Sequence, residues 1–232
     1  MPVLPDMLIL DAARPAAVQG ESLPERVPQW VLAPFLTGLP VPGRDLLALL
    51  PVLDVNALGF AAFRALSAGA GAEAGAAQGA IAALFCADPF LRVRDGVQIL
   101  RAAGISRVTN FPTIQIIDGA AAHGFESAGL GMRREAEVLG EFVRAGFAVT
   151  GFATSAESGA LLARQGVGAL VLHPGPASAD WRMRTAAGRD AAQALRSLRH
   201  LSELPVRLMC PDGYGTELDG ALALADGAVR YG

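Results

Sequence analysis

The sequence contains no lysine, and all 19 of its basic residues are arginine. A Schiff-base aldolase, a pyridoxal phosphate enzyme and a P-loop ATPase each depend on an amine at the end of a flexible side chain. Arginine cannot replace that amine, because its guanidinium stays protonated. The absence of lysine therefore excludes these three classes.

Cysteine is also scarce, since the chain has only Cys86 and Cys210, which lie far apart within apolar runs. A scaffold built on disulfides would need many more cysteines. We expect both to be reduced thiols in the core.

Long apolar runs are absent as well, and none reaches the roughly 18 residues of a membrane span. The opening segment MPVLPDMLIL lacks the basic region of a signal peptide and is too short to be one. The formal net charge of −3 gives no reason to expect nucleic acid or an acidic membrane as a partner. These features predict a soluble cytoplasmic protein.

Short apolar runs alternate with helical stretches along the chain. Each run is continuous, which is typical of parallel strands covered on both faces. Eight such runs are present, at residues 7–10, 30–35, 81–86, 107–111, 148–152, 169–173, 206–210 and 228–231. They predict a single domain over residues 1–232 with the (β/α)8 TIM-barrel fold. A doubly wound open sheet is the alternative, but no glycine-rich fingerprint follows the first run.

Helices are predicted between most of these strands, at residues 56–68, 90–103, 133–145, 155–165, 185–201 and 216–225. Helix 1 is degenerate, because residues 11–29 contain three prolines and little helical period, and helix 8 is missing after strand 8. Parallel strands are rarely left facing water. We therefore expect a homo-oligomer, or another partner, to cover the flank between strand 8 and strand 1.

Polar residues at the carboxyl-terminal ends of the strands are the first candidates for a site, because TIM-barrel active sites lie there. They include Asp54, Asn56, Asp88, Asn110, Asp118, Glu126, His173 and Asp212. Carboxylates that meet at this end of a barrel could hold Mg²⁺ through oxygens and water, and the ion could stabilise an enolate.

Several of these residues also have a purely structural interpretation. Asp88 precedes Pro89 and a predicted helix, where an aspartate is a good N-cap. Asp118 and the glycine after it form a common turn pair. Glu126 lies in the polar stretch HGFESAG, where we find no structural role for it, and His173 ends strand 6. A functional role is favoured for the last two.

Five stretches occur in an order typical of one family: LLALLPVLDVN, CADPF, GISRVTNFPTIQIIDG, FESAGLGM and ALVLHPG. With them the chain resembles the phosphoenolpyruvate hydrolase-like TIM-barrel family, and the third stretch is the most specific. The resemblance implies an enzyme similar to the phosphoenolpyruvate mutase and isocitrate lyase superfamily. Its members use Mg²⁺ to hold a 2-oxo acid and to stabilise the enolate formed when a C–C or C–P bond breaks.

The residues at matching positions of these motifs are Asp54, Asn56, Asp88, Asn110, Thr113, Asp118, Glu126 and His173. The resemblance indicates these positions, and our hypothesis for their roles is that Asp88 and Asp118 help to hold Mg²⁺, directly or through water. Glu126 and His173, with Asp118, would be catalytic, and the other four would bind the substrate.

Two loops depart from the pattern of the family. The strand-6 histidine is followed by PGPASAD instead of a Gly- and Thr-rich loop, and strand 7 is followed by CPDGYG instead of a CHGGP-like segment. Asp212 in the second loop would repel an anion unless a metal intervenes. Two hypotheses follow: a Mg²⁺-dependent lyase or hydrolase of a small anionic 2-oxo acid, or a catalytically inactive relative that acts as a binding or regulatory subunit.

Overall fold

Eight parallel strands form a closed barrel in the computed structural model, which describes residues 4–11, 29–41, 43–50, 53–68 and 79–232. The strands follow one another around the barrel in chain order. They are β1 (Met7–Leu10), β2 (Gln29–Leu32), β3 (Ala80–Ala83), β4 (Arg107–Thr109), β5 (Ala148–Ala153), β6 (Ala169–Leu172), β7 (Val206–Met209) and β8 (Ala228–Tyr231). The predicted TIM-barrel fold is confirmed.

The helices are α1 (Arg44–Leu47), α2 (Val55–Ala68), α3 (Val93–Ala102), α4 (Gly119–Ser127), α5 (Met132–Arg144), α6 (Ala156–Arg164), α7 (Trp181–Leu201) and α8 (Asp219–Leu222). The predicted helix at 216–225 is in fact a 3₁₀ turn followed by the short α8. Helix α4 lies where the sequence predicted a polar loop. Its sequence has no apolar period, because the helix buries none of its residues. The prediction of a degenerate helix 1 falls mainly on residues 12–28, which lie outside the described part. No helix in the described ranges is long and apolar enough to span a bilayer.

The interior of the barrel is filled with apolar side chains. Near the carboxyl-terminal ends of the strands, which we call the mouth, the Phe111 ring lies 5.2 Å from that of Phe152, 6.3 Å from Phe35 and 6.4 Å from Tyr231, measured between ring centroids. Such aromatic packing closes the middle of the mouth, so polar chemistry is confined to its rim. Both cysteines are free thiols, one buried and one half-buried.

One arginine on α7 joins the loops that follow β6 and β7. Arg184 Nε donates to Glu217 Oε1 at 2.7 Å, and Arg184 Nη1 donates to the carbonyl oxygens of Ser178 (2.9 Å) and Ala179 (3.1 Å). Glu217 Oε2 in turn accepts a hydrogen bond from the Gly215 N–H. These bonds fix two loops at the mouth relative to one helix.

We expect Gly188→Ala to destabilise the fold by about 1–3 kcal/mol, because a Cβ at this position of α7 would overlap the carbonyl oxygen of Glu217. The matched control is Gly124→Ala in α4, where no atom lies within 4 Å of the added carbon. The control should be neutral or slightly stabilising, since alanine is the better helix former. Urea unfolding measures both, and an equal effect of the two substitutions would contradict this packing.

Candidate active site

A buried carboxylate on α5 organises the residues that follow β4. Glu135 has no exposed surface. Its Oε2 accepts hydrogen bonds from Asn110 Nδ2 (3.1 Å) and Thr113 Oγ1 (2.7 Å). Gln115 Nε2 also donates to Oε2 (2.9 Å), and the backbone N–H of Ile114 donates to Oε1 (2.9 Å). Sequence reasoning missed Glu135, which looked like one charge among several on a helix.

The same network extends to β5. Asn110 pairs with both backbone groups of Phe152: its Nδ2 donates to the carbonyl at 3.0 Å, and its Oδ1 accepts from the N–H at 2.7 Å. Gln115 Nε2 donates to the same carbonyl at 3.1 Å. Asn110 and Thr113 therefore have structural partners, and substrate binding by either one stays a prediction.

Asn56, at the start of α2, makes a similar arrangement with the segment that follows β3, the strand next to β4. Its Oδ1 accepts from the Phe85 N–H and its Nδ2 donates to the Phe85 carbonyl, both at 3.0 Å. Its Nδ2 also donates to Asp88 Oδ2 at 2.8 Å, while Asp88 Oδ1 accepts from the Phe90 N–H at 2.8 Å. Asp54 is exposed and accepts a hydrogen bond at the start of α2. The three predicted residues thus hold loops and a helix end.

The two carboxylates after β4 lie on the surface. Asp118 is exposed directly before α4 and makes no capping hydrogen bond. Glu126 is exposed at the end of α4, and its Oε1 accepts from the Met132 N–H at 2.6 Å, at the first residue of α5. The expectation that Glu126 has no structural role was wrong, because it caps α5. A catalytic role for either carboxylate stays a prediction.

His173 forms a buried pair with Asp45. The imidazole Nε2 lies 2.9 Å from Asp45 Oδ2, and the two residues are 1% and 4% exposed. The Gly175 N–H donates to Nδ1 at 3.0 Å. Because Nδ1 accepts this bond, the proton of the neutral ring is assigned to Nε2, which donates it to Asp45. Sequence reasoning found His173 but missed Asp45, since α1 has four residues and is too short to show a helical period.

The pair separates two open cavities at the rim. Asp45 lines one of about 320 Å³, together with Asp212 and Arg184. His173 lines the other, of about 480 Å³, together with Thr154 and Asp190. A ligand in either cavity would meet one member of the pair.

Asp212 is accompanied by a cation that the sequence did not reveal. Arg44 Nε lies 3.5 Å from Asp212 Oδ2, and the guanidinium carbon lies 4.4 Å from the centre of the Tyr231 ring. Burial raises the pKa of Asp212, and Asp45 raises it further, while Arg44 opposes the shift. The expected repulsion of an anion by Asp212 is therefore offset by Arg44.

The described residues do not fit a Mg²⁺ site built from Asp88 and Asp118. Both oxygens of Asp88 accept hydrogen bonds from the protein, and Asp118 is exposed on another loop. Within the described ranges, no group of three or more His, Cys, Asp or Glu side chains is arranged to hold a metal ion.

Glu135 should make stability depend on pH. Burial raises its pKa from 4.5 to about 7, although its four hydrogen bonds oppose the shift. The folded state then keeps a proton that the unfolded state loses near its ordinary pKa. The contribution of this proton to the free energy of unfolding is complete below pH 4.5. It is lost, by about 3 kcal/mol in total, as the pH rises through 7.

We expect Glu135→Gln to remove this part of the pH dependence. It should also lower stability at every pH, because an amide nitrogen would face the Ile114 N–H. The measurement is the free energy of unfolding in urea between pH 4.5 and 8. Glu137→Gln, an exposed position of the same helix, is the control and should retain the wild-type profile. A Glu135→Gln profile parallel to that of the wild type would contradict the assignment.

Comparison with known proteins identifies a matching family and solved structures with a similar fold. The profile of the family described as phosphoenolpyruvate hydrolase-like matches residues 47–203. The ToMV resistance protein Tm-1(GCR237) of Solanum lycopersicum is 32% identical over 97 residues, which are 41% of this chain and 13% of that protein. The uncharacterized protein y4oT of Sinorhizobium fredii is 34% identical over 114 residues, or 49% of this chain and 55% of that one. The matched regions thus span about half, or less, of these relatives.

Solved structures are similar in fold. A chain of the tryptophan synthase complex of Pyrococcus furiosus has a TM-score of 0.59 at 15% identity, covering 99% of this chain and 87% of that one. The carboxyl transferase domain of Rhizobium etli pyruvate carboxylase, solved with pyruvate, has a TM-score of 0.56 at 12% identity, covering 100% and 40%. At these identities the likeness shows the TIM-barrel fold alone.

Proposed function

Because the chain belongs to the phosphoenolpyruvate hydrolase-like family, we propose that it is a lyase or hydrolase of a small anionic 2-oxo acid. The bond cleaved would be a C–C, C–P or phosphoester bond of a compound such as oxaloacetate, phosphonopyruvate or phosphoenolpyruvate. The observation that supports this best is the buried pair of His173 and Asp45 between two cavities at the barrel mouth.

The pair is suited to moving a proton. Asp45 orients the imidazole and would stabilise the imidazolium formed when His173 takes up a second proton. That proton must reach Nδ1, which now accepts a hydrogen bond from the Gly175 N–H. Proton transfer through His173 therefore requires the loop after β6 to move away from the ring. No step of this chemistry uses Mg²⁺.

Hydrolysis of phosphonopyruvate or phosphoenolpyruvate releases pyruvate and phosphate, and decarboxylation of oxaloacetate releases pyruvate and CO2. Hydrolysis of the C2–C3 bond of oxaloacetate releases oxalate and acetate instead, so we expect assays for pyruvate and for oxalate, with and without Mg²⁺, to detect turnover of any of the three. His173→Asn and Asp45→Asn should lower turnover by roughly 10²–10⁴-fold, the usual contribution of a positioned acid or base. The control is His200→Asn, at an exposed position near the end of α7, which should leave turnover unchanged. Equal activity of the His173 and His200 variants would contradict the assignment.

A second candidate is a non-catalytic relative that binds a ligand and regulates a partner. It is favoured by the network of Glu135, which already engages the side chains of Asn110 and Thr113, and by the Phe111 ring in the middle of the mouth. A ligand that raises the melting temperature, with neither pyruvate nor oxalate released from any of the three compounds, would support this candidate.

A further inference from the structure

We propose that Arg44 binds the oxyanion of the ligand at the barrel mouth, and that Tyr231 and Asp212 hold its guanidinium for this purpose. The inference rests on the proposed function only for the nature of the ligand, a small carboxylate or phosphonate. It concerns Arg44 of α1 and Tyr231 of β8, which the sequence did not single out, and Asp212 of the loop after β7, which the sequence indicated as a site candidate that would repel an anion.

Described residues contact the guanidinium of Arg44 on two sides. Its face lies against the Tyr231 ring at 4.4 Å, a cation–π distance. Its Nε edge faces Asp212 Oδ2 at 3.5 Å, which is longer than a normal charged hydrogen bond. Within the described residues, neither Nη atom of Arg44 has a hydrogen-bond partner. In this proposal the Nη edge, which no described residue engages in a hydrogen bond, binds two oxygens of one oxyanion.

Three buried polar atoms without a hydrogen-bond partner gather at this corner. They are Arg44 Nε, Asp212 Oδ2 and the Tyr231 hydroxyl. Buried polar atoms are usually paired, and an unpaired one destabilises the fold. An oxyanion bound at the Nη edge of Arg44 would accept a hydrogen bond from the Tyr231 hydroxyl. A small shift of the guanidinium toward Asp212 would bring the other two atoms within hydrogen-bond distance of each other.

The neighbouring space suits a small ligand. Asp212 lies between the cavity of about 320 Å³ that Asp45 lines and another of about 310 Å³ that Tyr231 lines. Pockets of this volume hold small molecules. Arg184, the arginine that lines the first cavity, already uses Nε and Nη1 on the protein. Arg44 lies beside Asp212, which lines this cavity, and its Nη atoms donate to no described residue.

The position also fits the proposed chemistry. Asp45 and Asp212 line the same cavity, and Arg44 lies beside Asp212, so an oxyanion held by Arg44 at this cavity would lie near the pair of Asp45 and His173. A planar guanidinium can bind a carboxylate or phosphonate through two parallel hydrogen bonds and stack on a ring at the same time. An ammonium group can do neither in the same geometry.

Isothermal titration with two probes, pyruvate and inorganic phosphate, tests this inference on the 232-residue chain. Arg44→Gln should weaken binding of the preferred probe about tenfold or more, and Arg44→Lys should restore little of it. Asp212→Asn should strengthen binding about threefold, because the amide oxygen can still accept from Arg44 Nε while the competing negative charge is removed. A gain of affinity cannot come from a misfolded variant.

Arg182→Gln is the matched control, because Arg182 also lies over an aromatic ring, that of Trp181, but on the exposed surface. It should bind as the wild type does. Equal affinity of the Arg44 and Arg182 variants, or no binding of either probe to the wild type, would overturn the inference. Binding that depends on Arg44, without turnover of any of the three compounds, would support the inference about Arg44 and contradict only the proposed lyase or hydrolase function.

Discussion

The carboxylate of Glu135 accepts four hydrogen bonds from residues 110–115, and this interaction determines how the barrel mouth is arranged. A buried carboxylate is strongly destabilising unless its oxygens are hydrogen-bonded. The segment after β4 satisfies them with two amides, a hydroxyl and a backbone N–H, and this combination leaves it little conformational freedom. Because Asn110 and Gln115 also bond to Phe152, the same carboxylate fixes β4 relative to β5.

The rim of the mouth consequently has two different sides. On the side of β3, β4 and β5, two asparagines act alike: Asn56 pairs with both backbone groups of Phe85, and Asn110 does the same with Phe152. These polar groups have their partners within the protein. On the side of α1, β6, β7 and β8, Arg44 and Asp212 face each other without a hydrogen bond, and Asp212 borders a cavity. Unpaired charge beside a cavity is the better indicator of a ligand site.

The sequence was sufficient to predict the barrel, because each strand is a continuous apolar run that can be recognised from local sequence alone. It was insufficient for α4, which buries none of its residues, and for the four-residue α1. Glu135 did leave a signal, since it lies four and seven positions before the buried Leu139 and Phe142 and so shares the apolar face of α5. The pair of His173 and Asp45 joins residues 128 positions apart, and no local pattern reveals such a contact. The family motifs indicated where polar residues cluster, but only the packing distinguishes those that hold loops from those that face a cavity.

A crystal structure of the protein with phosphonopyruvate would test most directly whether ligand binding is confined to one side of the mouth. We predict ligand density between the Nη edge of Arg44 and the pair of His173 and Asp45, with the hydrogen bonds of Glu135 unchanged. Density beside Asp88 and Asn110, with Asn110 turned away from Glu135 toward the ligand, would contradict this division of the mouth.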